Sequence, residues 1–353
     1  MAYTEILTGH ALTVEQWDDQ LFEDYLGMLW WKNLMGTDLT SIIYVNEDLV
    51  KKPGDAITVG LMGEMQGGKV TGNATGIGNE GNVNFYGQRV TIDNVRYLIK
   101  VMDIPMSQKR VNFDLLQKAK RALTLKASED LDDQITTDLS STSSGRVRGR
   151  YLYGAADSNW NATHATALNN VDNTSDQLTT NIIRIAKRKA TIPVNADGVK
   201  MRPMKVVNGK NYEEWFISVN HPYCIRDLFD SDAAWKNAQL NIPPQSNANS
   251  PLFSGSSFKG AYDGTLIYEY DRIQLTTNTA STTVQTAHNF LLGAGAHAVV
   301  WGQRSKFGEE ESDIGHAISY ETHEIRGSSK VYFTRTNEMD QGIVHVFAAA
   351  VAD

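Results

Sequence analysis

The sequence contains a single cysteine, Cys224, among its 353 residues. One thiol cannot form an internal disulfide or build a cysteine-rich zinc site, so we interpret it as a small buried apolar residue. Apolar runs of about 18 residues, the length that crosses a bilayer, are absent. The N-terminus MAYTEILTGH also lacks the basic start and apolar run of a secretory signal. We therefore expect a protein that stays in the cytoplasm that makes it and contacts no membrane.

An excess of positive charge is also lacking. The 33 Lys and Arg residues are outnumbered by 41 Asp and Glu residues, which gives a formal net charge of -8. Proteins that grip nucleic acids gain free energy from clustered Lys and Arg on phosphates, so this composition disfavours tight DNA or RNA binding. The apolar content of 41% is ordinary for a folded protein, and the length suits about two compact units.

Strong catalytic motifs are missing as well. GIGNEG spaces Gly76, Gly78 and Gly81 like a dinucleotide fingerprint, but polar turn residues flank it where a buried strand and a helix are required. GAGAHA, residues 293–298, follows an apolar run but continues as a strand. The sequence has no HExxH motif, no GxSxG elbow and no Walker-type loop. We predict no catalytic residue, no cofactor and no metal site.

The N-terminal region has the periodicity of an amphipathic helix. Behind Thr13, a candidate cap, apolar residues recur at helical spacing up to residue 35: Val14, Trp17, Leu21, Tyr25 and Leu29. Trp30 and Trp31 stand side by side near its end, where a small separate element has little core of its own. Two alternatives follow: the pair packs against a neighbouring subunit, or it packs within its own chain.

Residues 51–94 differ in character from the rest of the chain. Apolar residues alternate with small or polar ones at the two ends, as strands require: Ile57, Val59 and Leu61, then Val90 and Ile92. The middle is crowded with Gly and Asn and cannot hold a core. A projecting loop of this kind loses much entropy on ordering and gains stability mainly by lying on another molecule. We expect an extended β-hairpin whose tip glycines contact a second subunit: Gly67, Gly68, Gly76 and Gly78.

A long helix is predicted over residues 111–141, with a length of about 45 Å at 1.5 Å per residue. Its apolar stripe consists of Leu115, Ala119, Ala122, Leu123, Ala127, Leu131, Ile135 and Leu139. Basic residues precede acidic ones, an order that opposes the helix dipole: Lys118, Lys120, Arg121 and Lys126, then Glu129, Asp130, Asp132, Asp133 and Asp138. We interpret this order as pairing of one subunit's basic half with a neighbour's acidic half, and a solvated face is the alternative.

The second half of the chain begins after a polar segment. Residues 140–180 are rich in Ser, Asn, Thr and Asp, which indicates a loop with little core. A helix near 182–190, a buried strand over 215–219 and a helix from Pro222 follow. The Asp263-Gly264 turn introduces another strand, and three apolar segments after residue 289 predict more.

The densest acidic run comprises Glu309, Glu310, Glu311 and Asp313. Three interpretations fit it: a cation site, a contact with a basic patch of another subunit, or a hydrated turn.

The order of these elements resembles the Hong Kong 97-type fold of tailed-phage major capsid proteins: a helical arm, a Gly-rich extended loop, a spine helix and an α/β domain. The likeness covers nearly the whole chain. It is most specific in KVTGNATGIGNEGNVNFYGQRVTIDNVRYLIKVMDIPMSQKRVNFDLLQKAKRAL, which is similar to the coliphage N-four-type branch. ISVNHPYCIRDL and FKGAYDGTLIYEYDRI are similar to parts of the family's axial domain, and LLGAGAHAVVWG and GSSKVYF complete the match.

The resemblance implies an α+β fold with five regions. These are an N-terminal arm over 1–50, the extended loop over 51–94, a peripheral domain with the spine helix and polar loop over 95–180, an axial domain over 181–305, and C-terminal strands over 306–353. The loop would lie on an adjacent subunit, and the arm would clasp a second one.

The resemblance also implies homo-hexamers and homo-pentamers in an icosahedral virion head, assembled in the cytoplasm of a bacterial host. Packaged double-stranded DNA would be enclosed without sequence-specific binding. Portal and scaffold proteins are expected partners, with a decoration protein as a further one. The alternatives are an encapsulin-like compartment, a nucleotide-dependent oxidoreductase based on GAGAHA, and a tail-tube protein.

Overall fold

The structure is a computed structural model. It describes residues 29–51, 53–63, 65, 67–102, 104, 107, 109, 115–142, 146–194, 200–208, 211–240, 256–277, 284–314, 316–334 and 338–352. The predicted helix over 13–35 lies outside this set up to residue 28. Its described end differs from the prediction, because Trp30–Leu34 form a 3-10 helix and Met35–Gly36 a short strand.

Strands and helices are numbered here in chain order. The strands are β1 Met35–Gly36, β2 Ile43–Asn46, β3 Ala56–Met62, β4 Phe85–Thr91, β5 Asp93–Met102, β6 Tyr151–Tyr153, β7 Met204–Asn208, β8 Asn211–Asn220, β9 Phe258–Tyr262, β10 Thr265–Glu269, β11 Leu275–Thr277, β12 Gln285–Leu292, β13 His297–Ser312, β14 Ala317–Lys330, β15 Tyr332–Thr334, β16 Glu338–Asp340 and β17 Ile343–Ala349. The helices are α1 Asp48–Lys51, α2 Leu115–Ser140, α3 His164–Asn169, α4 Thr180–Thr191, α5 Pro222–Ser231 and α6 Ala233–Leu240.

Two sheets organise the chain. The five-stranded sheet has the order β1-β2-β13-β14-β5, in which β13, β14 and β5 are antiparallel neighbours. The eight-stranded sheet has the order β6-β17-β12-β8-β10-β9, and β11 and β7 pair with β12 and β8. β13 runs through position 305, where a domain boundary is predicted, and β2 joins the five-stranded sheet although it lies inside the predicted arm.

The long helix packs on one face of the five-stranded sheet. Its buried residues lie at spacings of three and four, as the stripe predicts: Ala119, Leu123, Ala127, Leu131, Ile135 and Leu139. Ala122 is exposed, contrary to the prediction. It lies between the exposed Lys118 and Lys126, four residues from each, on the outer face of the helix. Residues 111–114 lie outside the described set, so the observed helix begins at Leu115.

The larger sheet forms much of the main core. β17 is buried along its whole length between β12 and β6. The predicted helix near 182–190 is confirmed as α4, and the strand over 215–219 is part of β8. His221 caps α5, with its ring nitrogen accepting from the Tyr223 amide, and Pro222 takes the first helical position. Phe229, an apolar residue near the end of α5, is 39% exposed.

The polar segment 140–180 differs most from its prediction. Tyr151–Tyr153 form a buried strand that pairs parallel with β17. A small second core gathers around it from Ala167, Leu168, Val171, Phe347 and neighbouring residues. Polar composition hid this core, because its apolar residues are few and are spread across three short elements.

Candidate assembly surfaces

The extended loop is a two-stranded hairpin whose base is fixed to the body. β3 pairs antiparallel with β4 from Ala56 and Thr91 to Met62 and Phe85. Gln88 joins this base to the chain after β14: its amide nitrogen donates to the Lys330 carbonyl at 2.6 Å, and its oxygen accepts from the Tyr332 amide at 2.7 Å. Buried side chains of the hairpin and the sheet form a small core there: Val59, Val90, Ala298, Val300 and Val331.

The corner between β4 and β5 fits against two glycines. A Cβ on Gly327 would come within 2.1 Å of the Thr91 carbonyl oxygen, and one on Gly302 within 2.8 Å of an Ile92 side-chain carbon. Only hydrogen leaves space for the chain at these positions. The loop therefore leaves the sheet through a tightly packed corner.

Beyond its base, the loop projects into solvent. The predicted glycines Gly67, Gly68, Gly76 and Gly78 are all exposed, and Gly67 and Gly78 adopt positive φ of 141° and 88°. Large apolar side chains are exposed along the same hairpin: Met62, Met65, Val70, Ile77 and Phe85. Apolar groups on a projecting arm have no core of their own to enter, so contact with another surface is what removes them from water.

Polar contacts fix the acidic half of α2 to the five-stranded sheet. Asp130 pairs with the buried guanidinium of Arg326 at 2.7 Å and accepts from the Tyr97 hydroxyl at 2.6 Å. Asp138 lies 3.1 Å from His297 Nε2 and accepts from the Ser328 hydroxyl at 2.5 Å. Most carboxylates of this half are thus engaged within their own chain, and their pairing with a neighbour stays a prediction.

Asp132 and the tryptophan pair lie together inside the subunit. The Trp30 amide donates to Asp132 Oδ2 at 3.1 Å, which places a carboxylate at the start of the 3-10 helix. Burial raises the pKa of Asp132 to about 6. Trp31 is fully buried, and both indoles pack against Tyr270. Both indoles therefore pack within their own chain, and a contact of the partly exposed Trp30 with a neighbouring subunit stays a prediction.

Asp133 is exposed but also has an intramolecular partner. Its carboxylate lies 2.8 Å from Arg272, which also approaches Glu129 at 3.6 Å. Arg272 therefore covers the outer face of the acidic half.

The basic half of α2 is arranged differently. Lys120 lies 3.7 Å from Glu309 and over the rings of Phe307 and Tyr320. Three other cations are exposed and form no ion pair within the part of the chain that the structure describes: Lys118, Arg121 and Lys126. Leu125 lies among them and is 47% exposed. We call Lys118, Arg121, Leu125 and Lys126 the basic stripe.

The end of β13 and the turn that follows it carry a cluster of exposed acids. Glu310, Glu311 and Asp313 are exposed without an ion-pair partner among the described residues, whereas Glu309 has Lys120. Ile314 is fully exposed, and it and Asp313 have positive φ of 52° and 55°. We call Glu310, Glu311, Asp313 and Ile314 the acidic tip.

A buried network joins the two sheets, and no pattern in the sequence predicts it. Lys330 lies 2.8 Å from Asp340, Asp340 accepts from His345 Nε2 at 2.9 Å, and His345 Nδ1 lies 2.8 Å from His288 Nε2. Burial lowers the pKa of His288 well below its usual value and lowers that of His345. These four residues come from β14, β16, β17 and β12, so only strand pairing brings them together.

The described residues provide little support for a catalytic or metal-binding role. GAGAHA joins strands β12 and β13, and the turn at Gly76 to Asn79 leads to β4. No group of three or more His, Cys, Asp or Glu side chains could hold a metal ion in the described ranges. No helix of those ranges has the length and apolar character needed to cross a membrane. Cys224 is fully buried, as predicted, and burial raises its pKa to about 12.

Comparison with known proteins gives a consistent result. The chain is similar to the subunit in the cyanophage Pam1 capsid asymmetric unit, with 25% identity, 92% coverage of both chains and a TM-score of 0.76. For the capsid of Ralstonia phage GP4, the identity is 21%, the coverage 92% of both chains and the TM-score 0.73. The head of Helicobacter pylori bacteriophage KHP40 matches at 13% identity over 92% of this chain and 91% of that one, with a TM-score of 0.66.

No curated protein sequence matches the chain. A family model described as phage capsid protein, however, matches residues 5–352, almost the full length of the sequence. The chain therefore belongs to the phage capsid protein family and is a structural subunit of a bacteriophage capsid.

Proposed function

We propose that this chain is the major capsid protein of a tailed phage, with the Hong Kong 97-type fold and membership of the coliphage N-four-type branch. In this proposal it assembles in the bacterial cytoplasm into hexamers and pentamers of a closed icosahedral head around double-stranded DNA. Portal, scaffold and decoration proteins would join that head. The agreement in fold with the Pam1 capsid subunit over 92% of both chains is the observation that carries the proposal.

The extended loop supplies a physical route to self-assembly. Its exposed apolar residues, such as Ile77 and Phe85, would be buried when the hairpin lies on an adjacent subunit. The base is fixed by Gln88 and by the packed corner, so docking orders the tip alone and loses less entropy. Several such contacts per subunit give a stable shell even when each one is weak.

Electron microscopy of the expressed chain tests the proposal. Closed icosahedral particles are the expected result, whereas tubes or discrete small oligomers would contradict it. Particles from phage-infected cells should also contain DNA and a portal. Closed shells that carry host enzymes as cargo instead of DNA would favour an encapsulin-like compartment.

A substitution in the extended loop tests whether this loop is an assembly contact. Ile77→Asp should lower the yield of closed particles and leave the unfolding temperature of the subunit unchanged, because residue 77 is 84% exposed. Ile192→Asp, at an exposed apolar residue outside both the loop and the N-terminal arm, is the matched control and should assemble normally. Equal yields from both variants would exclude the loop as an assembly contact.

A further inference from the structure

The basic stripe begins where a cation is disfavoured. Lys118 lies in the first turn of α2, at the positive end of the helix dipole, and Arg121 and Lys126 follow in the N-terminal half of the helix. The acidic half has Arg326, His297 and Arg272 as partners within the chain. The three cations of the basic stripe have no such partner in the described residues. An external anionic surface would therefore relieve an unfavourable arrangement.

The predicted acceptor for this stripe is a neighbour's acidic helix half, but that half offers few free carboxylates. Asp130 and Asp138 are bound to the sheet, Asp132 is buried, and Asp133 has Arg272. The acidic tip is different, because Glu310, Glu311 and Asp313 extend into solvent without ion-pair partners in the part of the chain that is described. It is the better complement of the stripe.

The two surfaces also match in their apolar centres. Leu125 lies among the cations of the stripe, and Ile314 lies among the carboxylates of the tip. An apolar contact surrounded by charges of opposite sign is a common arrangement at protein interfaces, because the rim excludes water from the centre. Each surface alone exposes a large aliphatic side chain, and only their contact buries both.

No ion pair joins the acidic tip to the basic stripe within one subunit in the described residues. Ala119 and Leu123 face the sheet, so the basic stripe points away from it. The tip is held by strand pairing up to Ser312 and Ala317, and Glu309 is fixed beside Lys120 on the sheet-facing side of the helix. The tip of a second copy has no such restraint.

We propose that the basic stripe of one subunit binds the acidic tip of a second copy of this chain. The inference rests on the proposed function and adds a specific subunit contact to it. Each copy carries one stripe and one tip, so the contact is heterologous, and repeated contacts form a closed ring when the rotation between copies closes.

Charge reversal tests the contact. One variant carries Lys118→Glu, Arg121→Glu and Lys126→Glu, a second carries Glu310→Lys, Glu311→Lys and Asp313→Lys, and a third combines all six substitutions. Each three-residue variant should lower the yield of closed particles by about tenfold or more, and the combined variant should restore most of it. Wild-type yield from either three-residue variant, or no recovery in the combined one, would overturn the proposal.

A cysteine pair gives a second measurement that does not depend on tolerance of charge reversal. Leu125→Cys with Ile314→Cys should form disulfides between subunits in oxidised particles and give a ladder of covalent oligomers on a non-reducing gel. The native Cys224 is fully buried and should not react. Links within one chain, or no links at all, would refute the contact.

These experiments separate the possible failures. If the wild-type chain forms no closed particles, the proposed function fails. If it forms particles whose cysteine pair gives no ladder, only the stripe–tip contact fails. If reversal of the stripe lowers the DNA content of particles while reversal of the tip has no effect on yield, the stripe binds nucleic acid and the proposed contact is wrong.

Discussion

Replacing His288 by glutamine is expected to reduce the acid sensitivity of the fold. The His288 ring is fully buried between His345, Phe290 and Phe347, and its pKa is lowered well below 6.5. The folded protein therefore keeps this side chain neutral, whereas the unfolded chain binds a proton below about pH 6.5. The stability that the neutral imidazole contributes is present above that pH and is lost as the pH falls.

The magnitude follows from the width of the pH range. At pH 4.5, about two units below the unfolded pKa, a buried histidine that stays neutral lowers the free energy of unfolding by up to about 3 kcal/mol. His288→Gln removes this titration, and the glutamine amide can still donate to His345 Nδ1. The lost stacking on Phe347 should cost about 1 kcal/mol at every pH. The variant is therefore less stable than the wild type at pH 7.5 and more stable at pH 4.5.

Urea unfolding between pH 4.5 and 7.5, followed by tryptophan fluorescence in one state of assembly, measures this effect. Trp31 and Trp235 are fully buried and should report the loss of structure. His316→Gln is the matched control, because His316 is exposed and its replacement leaves the buried histidines in place. A His288→Gln protein with the full pH dependence of the wild type would refute the reasoning.

Two further substitutions test buried charges. Burial raises the pKa of Asp132 from 3.8 to about 6. The stability that the protonated carboxyl contributes is therefore fully present below pH 3.8 and is lost as the pH rises through 6. The side-chain oxygen of Asp132→Asn can still accept from the Trp30 amide. Relative to wild type, the free energy of unfolding of this variant should rise by about 2 to 3 kcal/mol as the pH increases from 4 to 7.5, measured by urea titration. Arg326→Met leaves the buried Glu324 carboxylate without its ion-pair partner and should cost about 3 to 5 kcal/mol of stability, whereas Arg96→Met, in an exposed pair, should cost much less. Equal costs for the two arginines would contradict the role of burial.

Local patterns in the sequence predicted elements whose cause is local. The stripe of α2, the proline at the start of α5, and the turn at Asp263 and Gly264 depend on neighbours within a few residues. Asp263 and Gly264 have positive φ of 46° and 69°, as a tight turn requires. Such features can be predicted without knowing the rest of the fold.

Contacts between distant segments could not be predicted in the same way. β6 is only three residues long, and its strand character comes from pairing with β17, almost two hundred positions later. His288 and His345 meet because β12 and β17 are neighbours, and nothing in their spacing indicates this. The two possible positions of Trp30 and Trp31 were equally consistent with the sequence, because burial by Tyr270 depends on a strand far along the chain.

The same distinction between local and long-range causes applies to the candidate assembly surfaces. Gly67, Gly68, Gly76 and Gly78 lie on a projecting loop because their local composition cannot hold a core. The charge order predicts that the acidic half of α2 pairs with a neighbour's basic half, but carboxylates of this half contact Arg326, His297 and Arg272 of the same chain, over a hundred residues away. Charge order along a helix thus indicated which groups need partners without indicating where the partners are.

Because the corner between β4 and β5 is tightly packed, the extended loop is rigidly joined to the body of the subunit. Thr91 and Ile92 fit against Gly327 and Gly302, with no spare volume in which the chain could flex independently. A load applied to the tip must then be carried into β5, a ten-residue strand on which the long helix rests. Strain from one neighbour would reach the middle of the subunit directly, so a methyl group at residue 327 should alter the angle at which the arm leaves the body.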